Sequence, residues 1–214
     1  MELQRVSQGD KEDIIDMTRD TWPWGDYISE VFDRWLEDGL FLKAVEGQRL
    51  LGIVHLKLLK DYGWIEGLRV RRTERRRGVG RYLVSESMKL GSKQTYRALI
   101  SESNFPSLKL FESMGFRAIS KIYYNQGSKE AGPPPLKNAR PIEGSVSYLD
   151  DWVWYPPSYC SGLYEADIRE EKVIYVASKP IFVVRGRIPL DYEFVSGEEV
   201  RGTEAFIVVE RSYP

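Results

Sequence analysis

A chain of 214 residues and 24.8 kDa allows one domain, or one domain with a small appendage. At 42% hydrophobic and 29% charged residues it can build a core, which excludes disordered and collagen-like classes; one cysteine and one histidine exclude a disulfide framework and a multi-cysteine or histidine-rich metal site. The net charge of −1 is unevenly divided: residues 141–214 hold thirteen acidic against seven basic side chains, a net −6, which leaves +5 on residues 1–140.

The spacing predicts a short strand over residues 3–6, then a helix capped by Asp10, with Asp13 three residues on and Ile14, Met17 and Thr18 facing inward. Trp22-Pro23-Trp24-Gly25 ends it. Asp26 caps a second helix, in which Ile28, Val31, Phe32, Trp35 and Leu36 recur at helical spacing before Gly39. Strands over 40–46, 50–60 and 63–70 follow, joined by Gly47-Gln48 and by Asp61-Tyr62-Gly63, an antiparallel meander. A helix over 80–90, with Leu83, Val84, Met88 and Leu90 apolar, stops at Gly91. A strand over 96–101, a helix opening near Pro106 with Leu108, Phe111 and Met114 buried, and a strand over 117–124 complete a β-α-β unit with parallel pairing.

The fold class is therefore α+β: a mixed, mostly antiparallel central sheet flanked by helices. Past Tyr124 the texture changes. Pro133-Pro134-Pro135 and Pro141 mark residues 127–144 as linker-like, and strand-like segments at 146–155, 172–177, 181–187 and 205–210 make a small acidic β-rich extension. The division expected is 1–128 for the main domain, 129–144 for the linker and 145–214 for the extension. Cys160 falls in the extension and reads as structural. The most apolar run, residues 50–59, is broken by His55 and Lys57 and is too short for a membrane helix. Met1-Glu2-Leu3-Gln4-Arg5 has neither the basic region nor the apolar stretch of an export signal, so a cytoplasmic protein is expected, with no membrane partner.

The chemistry concentrates between Trp64 and Arg81. Arg69, Arg71, Arg72, Arg75, Arg76, Arg77 and Arg81 fall close together with Glu74 opposing, a positive field suited to a phosphate-bearing small molecule or to nucleic acid. The segment reads as strand, glycine-containing turn, helix start; amides at a helix start bind phosphate, and glycine lets it approach closely. The Gly-Lys-Ser/Thr of a Walker loop and the third glycine of a dinucleotide fingerprint are both missing.

Arg75-Arg76-Arg77-Gly78-Val79-Gly80 matches the signature Arg/Gln-x-x-Gly-x-Gly/Ala, Leu68-Arg69-Val70 a strand end of the form Leu-x-Val, and Asn104…Phe111…Gly115-Phe116 a later Asn…Tyr/Phe…Gly-Phe segment. With these three motifs, residues 1–125 resemble the GNAT superfamily of acyl-CoA-dependent N-acetyltransferases. The resemblance implies acetyl-CoA as cosubstrate and a primary amine of a small molecule or peptide as acceptor. Attack is direct, in a ternary complex. The amides of Arg76, Arg77, Gly78, Val79, Gly80 and Arg81, in the turn that Arg75 opens, would hold the CoA pyrophosphate. Backbone at Leu68 and Val70, flanking Arg69, would pair with the pantetheine arm, one N–H polarising the thioester carbonyl and stabilising the oxyanion. Asn104 and Ser107 would contact the far end of that arm.

An ammonium acceptor must lose a proton before it can attack, and Glu66, just before the Leu-x-Val end, is the candidate base. Strand alternation places Glu66, Leu68 and Val70 on one face unless a bulge resets it. His55 is the second candidate. Many relatives carry a tyrosine as general acid where this chain has Phe111, so Tyr123, Tyr124 or solvent would have to protonate the thiolate. Asp26 and Tyr27, among the aromatics of 22–27, would shape the acceptor pocket around a cationic amine. Asp26-Tyr27, Trp35-Leu36 and residues 66–70 are more loosely similar to the branch that includes vertebrate histidine N-acetyltransferases. Two other readings are a catalytically inactive acyl-CoA-binding regulator and an arginine-rich nucleic-acid module; under the enzyme reading no nucleic acid is expected. A homodimer is compatible with all of them.

Overall fold

Asp10 stands at the N-cap position of the first α-helix, and a 3-10 turn opened by Ser7 precedes it. Ser7 donates to the Asp10 carboxylate from its N–H (2.8 Å) and its hydroxyl (2.9 Å), which starts the turn three residues early. The computed structural model describes residues 1–22, 25–128, 134–160 and 162–213. Pro23 and Trp24, and Lys129 to Pro133 of the expected linker, lie outside the described residues. Two units are resolved, one comprising residues 1–98, 109–117 and 210 onward, the other residues 99–108 and 118–209, so the division does not follow a single cut in the sequence.

In the first unit, β1 (Glu2–Arg5), α1 (Lys11–Thr18) and α2 (Ile28–Glu37) precede the antiparallel strands β2 (Leu40–Glu46), β3 (Arg49–Leu58) and β4 (Gly63–Val70). Next come α3 (Val79–Gly91), β5 (Thr95–Ser101) and α4 (Phe105–Ser113), with residues 99–108 of the last two counting with the second unit. The sheet order is β1-β2-β3-β4-β5, antiparallel except for the parallel β4–β5 pair. Ile14, Ile28, Phe32 and Trp35 bury one face of this sheet against Phe41 and Ile53. Burying each such side chain contributes about 1.5–3 kcal/mol, so this stripe fixes the helices' register on the sheet. Leu83, Val84 and Met88 of α3 are buried too. Ser92, at φ +50°, takes the left-handed position that ends α3, in place of the expected Gly91.

The β3–β4 ladder contains the feature that matters most for the site. His55 pairs with Glu66, yet Ile53 pairs with Arg69, so one residue on β3, Val54, faces two on β4, Gly67 and Leu68. The extra residue is accommodated at Gly67, in the left-handed region at φ +61°. This bulge corrects the simple alternation: Glu66 and Arg69 share the face of His55 and Ile53, while Leu68 and Val70 turn to the opposite face, their side chains 3.9 and 3.7 Å from where a Cβ on Gly80 would stand. A Cβ on Gly67 would lie 2.4 Å from the Trp35 ring. Gly67→Ala combines that overlap with an unfavourable φ and is expected to cost about 2–3 kcal/mol, read as a lower urea midpoint at unchanged slope.

The second unit carries β6 (Arg117–Asn125), β7 (Lys137–Ile142), β8 (Tyr148–Asp150), β9 (Val153–Tyr155), β10 (Leu163–Ile168), β11 (Glu171–Val176), β12 (Phe182–Arg185), β13 (Phe194–Ser196) and β14 (Glu204–Ser212), the outer residues of β6 and β14 counting with the first unit. Its sheet runs β14-β6-β13-β12-β11-β10-β7 around a core that includes Ile168, Val173, Val183 and Phe194, with β8 and β9 a separate hairpin. The expected linker thus contains a strand, β7, antiparallel to β10. Pro141 is tolerated there because β7 ends the sheet and has a neighbour on one side only. Among the described residues no helix is long and apolar enough to cross a membrane.

Candidate active site

Three pieces of the first unit converge on the outer part of β4: the start of α3, the His55–Glu66 pair, and a cluster around Arg69. Pairing of β4 with β5 is confined to Gly63–Ile65 against Tyr96–Ala98. Because the Arg71 N–H donates to the Leu51 carbonyl on the β3 side, strand alternation directs the N–H groups of Leu68 and Val70 to the opposite edge, where β5 pairing has ended. The two strand amides that the resemblance assigned to the thioester arm therefore face an edge open to a further extended chain.

A short 3-10 turn, Arg72–Glu74, leads from β4 toward α3. Arg76 (φ +63°) and Gly78 (φ +82°) are both left-handed, so the chain coils into the helix with successive amides presented at its start. Nothing stands within 4 Å of a Cβ built on Gly78. Gly80 differs: its Cβ would point at Leu110 (3.2 Å), Val70 and Leu68, so Gly80 serves the packing of α3 rather than an opening to solvent.

Glu74 organises this turn, a role that sequence reading missed. Its buried carboxylate pairs with Arg49 and Arg77 and accepts from the Thr73 hydroxyl at 3.2 Å. Burial alone would raise this carboxyl, but the Thr73 hydrogen bond and the two guanidinium groups outweigh it and hold it below the ordinary carboxylate range. The signal in the sequence was the single acid inside the arginine run just before the helix. Arg77 is accordingly spoken for through its side chain, leaving its amide for an anion. Arg81 donates to the Ser113 hydroxyl at 2.7 Å, and Arg75 approaches the Val70 carbonyl at 3.4 Å.

Below the bulge, His55 is fully buried and its Nδ1 lies 2.7 Å from Glu66 Oε1. Its ring stacks on Trp35 at 4.6 Å and 6° and meets Phe41 edge-on, while Nε2 donates to the Asp38 carbonyl. Glu66 keeps 17% exposure, so it alone of the two reaches solvent. The two candidate bases of the sequence reading are one hydrogen-bonded pair.

The expectation that Asp26 and Tyr27 receive a cationic amine meets a site already filled. Arg69 binds the 2% exposed Asp26 carboxylate through Nε (2.7 Å) and Nη2 (3.3 Å) and lies over the rings of Trp22 (4.7 Å) and Tyr27 (5.3 Å). Asp26 also accepts the Ile28 N–H at 3.2 Å, satisfying a free amide at the start of α2. Burial pushes the Tyr27 hydroxyl above its ordinary pKa, with Arg69 opposing and the Glu66 and Asp26 charges adding to the rise.

Phe111 is buried against Phe116, so no hydroxyl occupies that position. Of the tyrosines named as substitutes, both in the second unit, Tyr124 donates its hydroxyl to Glu193 at 2.9 Å. Burial, with that bond and the Glu193 charge, drives its pKa upward, which makes it a poor proton donor at neutral pH. Also in the second unit, Asn104 caps α4, its side-chain oxygen accepting the Ser107 N–H at 3.3 Å.

Three of the seven arginines in the run are neutralised within the fold. Arg69, Arg71 and Arg77 pair with Asp26, Asp13 and Glu74. A shallow groove of about 490 Å³ beside Asp13, Arg49, Arg71 and Arg72 is lined partly by these same pairs.

Residues 11–116 match the family described as acetyltransferase (GNAT), and this segment belongs to it; the chain is an acyltransferase. A crystal structure of a candidate acetyltransferase from Thermoplasma acidophilum aligns over 100% of both chains, at 20% identity and a TM-score of 0.68. The ribosomal-protein-S18-alanine N-acetyltransferase of Escherichia coli aligns with 61% of this chain and 86% of its own, at 18% identity and a TM-score of 0.51. NAA60 of Arabidopsis thaliana, crystallised with a bisubstrate analogue, aligns with 56% of this chain and 86% of its own, at 23% identity and a TM-score of 0.50. At these identities the likeness establishes the fold. None of the curated proteins matches the sequence.

Proposed function

We propose that the chain transfers the acetyl group of acetyl-CoA to a primary amine of a small molecule or peptide by direct attack in a ternary complex. The observation that carries this reading is the pairing of an open amide turn at the head of α3 with a β4 edge released from β5 beyond Ile65. The turn offers N–H groups and the helix dipole to a diphosphate. The released edge offers the Leu68 and Val70 amides to the arm and to the thioester oxygen, whose developing charge is the main electrostatic demand of acyl transfer. Glu66 reaches solvent on the adjoining stretch of β4 and takes the amine's proton.

The internal pairing of Arg69, Arg71 and Arg77 takes three of the seven arginines out of the positive field, which weakens the nucleic-acid reading. The His55–Glu66 pair favours an active enzyme over a silent acyl-CoA sensor, since sensing needs no proton acceptor beside the β4 edge.

Gly78→Glu tests the diphosphate grip. Its Cβ would project into open space and carry a carboxylate to the head of α3, so the CoA dissociation constant is expected to rise about 100-fold, or about 2.7 kcal/mol, by calorimetry. Gly78→Ala is the control for φ strain, with a far smaller effect. Undiminished CoA affinity in Gly78→Glu would move the site elsewhere. Gly80→Glu is a worse probe, since its side chain would enter the Leu110–Val70 contact and disturb folding.

A further inference from the structure

We infer that His55 and Glu66 work as one acid–base unit that shares a single proton, with His55 as the positioning residue; this deepens the acetyl-transfer reading and rests on it. The argument is a count of protons. A backbone carbonyl can only accept, so the contact between His55 Nε2 and the Asp38 carbonyl fixes a proton on Nε2. Across the ring, Nδ1 and Glu66 Oε1 are 2.7 Å apart. Two lone pairs facing each other at that distance repel, so in the resting pair one proton lies between them. The resting pair is therefore imidazolium with carboxylate or imidazole with carboxylic acid, of zero net charge either way.

The surroundings leave the ring no alternative. Trp35 covers one face in parallel stacking, Phe41 closes an edge, and His55 is wholly buried, so a ring flip, which would put Cδ2 and Cε1 where Nδ1 and Nε2 stand, would break both hydrogen bonds at once. The charged groups nearby are already matched. The Asp38 carboxylate holds Lys57 at 3.2 Å, Asp26 holds Arg69, and the Tyr27 hydroxyl keeps its proton beyond its ordinary range. None of them supplies the proton between Nδ1 and Oε1.

It follows that Glu66 is not a free carboxylate. The pair becomes a base by losing the shared proton, which leaves a neutral Nε2–H imidazole whose Nδ1 lone pair confronts the carboxylate. That crowding is relieved when Glu66 takes a proton from the ammonium acceptor, and the proton is again shared. The amine lone pair then forms the N–C bond, the C–S bond breaks with its electrons passing to sulfur, and of the two protons the ammonium loses, one ends on CoA and one in solvent. One ionisation, belonging to the pair rather than to either residue, governs the reaction.

His55 is the only histidine in the chain, so one imidazole gives the whole nitrogen spectrum. In protein labelled with 15N-histidine, Nε2 is expected to stay protonated across the folded pH range, with a far-downfield proton at Nδ1 that disappears in Glu66→Gln. A bare Nε2, or an imidazole that titrates identically in the wild type and in Glu66→Gln, overturns the shared proton without reference to activity. His55→Gln is expected to lower kcat/KM for the amine about tenfold near neutral pH and to displace its pH profile, with the acetyl-CoA dissociation constant unchanged. A uniform loss of rate with an unmoved profile overturns the acid–base role. Should His55→Gln fail to fold, the wild-type spectrum still decides the pairing. A wild-type protein that shows the bridging proton yet acetylates no amine overturns the enzyme reading, not the pairing.

Discussion

Glu66→Gln is expected to lower kcat for acetyl transfer by about 10²–10³ while leaving the acetyl-CoA dissociation constant within about twofold. At 1.36 kcal/mol per decade this is about 2.7–4.1 kcal/mol of barrier, the usual share of a positioned proton acceptor. The glutamine keeps the volume of the side chain, and its amide can donate to His55 Nδ1, so the Trp35–His55 stack has no reason to move. What is lost is the ability to hold the amine's proton. The separation of effects comes from the bulge at Gly67: the Glu66 side chain stands on the face of His55, whereas Leu68 and Val70 point to the other. Steady-state rates together with calorimetry check both halves. A kcat that survives the substitution across pH would remove Glu66 from the chemistry and leave solvent as the base.

How much of this was legible beforehand differs between the two units. Helical stripes such as Ile28–Phe32–Trp35 and the turn from Arg75 to Gly80 are local, so spacing alone revealed them. The His55–Glu66 contact was not, although both residues were singled out, because their register depends on one inserted residue whose only trace is a glycine inside a strand. The Asp26–Arg69 pair spans 43 positions and has no local signature at all. In the second unit two tight turns use Asp151-Trp152 and Arg169-Glu170 in left-handed conformations that such turns usually assign to glycine or asparagine. Without that cue residues 146–155 read as one strand instead of a hairpin, and β10 went unrecognised. Sheet pairing there overrides local preference: β10 is held on both sides, by β11 and β7.

The second large effect separates a structural aspartate from a substrate-binding one. Asp26→Ala is expected to destabilise the first unit by about 3 kcal/mol, because removing one partner of a buried ion pair strands the other. The stranded group is the Arg69 guanidinium, 17% exposed and lying over the Trp22 and Tyr27 rings, with few routes to water. The Ile28 N–H at the start of α2 loses its acceptor at the same time. Adding Arg69→Met should return most of the loss: it removes the unpaired charge and leaves an unbranched apolar side chain against the two rings. An aspartate whose task was to bind an ammonium acceptor would behave differently, raising KM for the amine while leaving the urea midpoint in place and gaining nothing from the second substitution. Urea titrations of the wild type, the single variant and the double variant therefore discriminate the roles. The buried geometry of the Asp26–Arg69 pair favours recovery in the double variant.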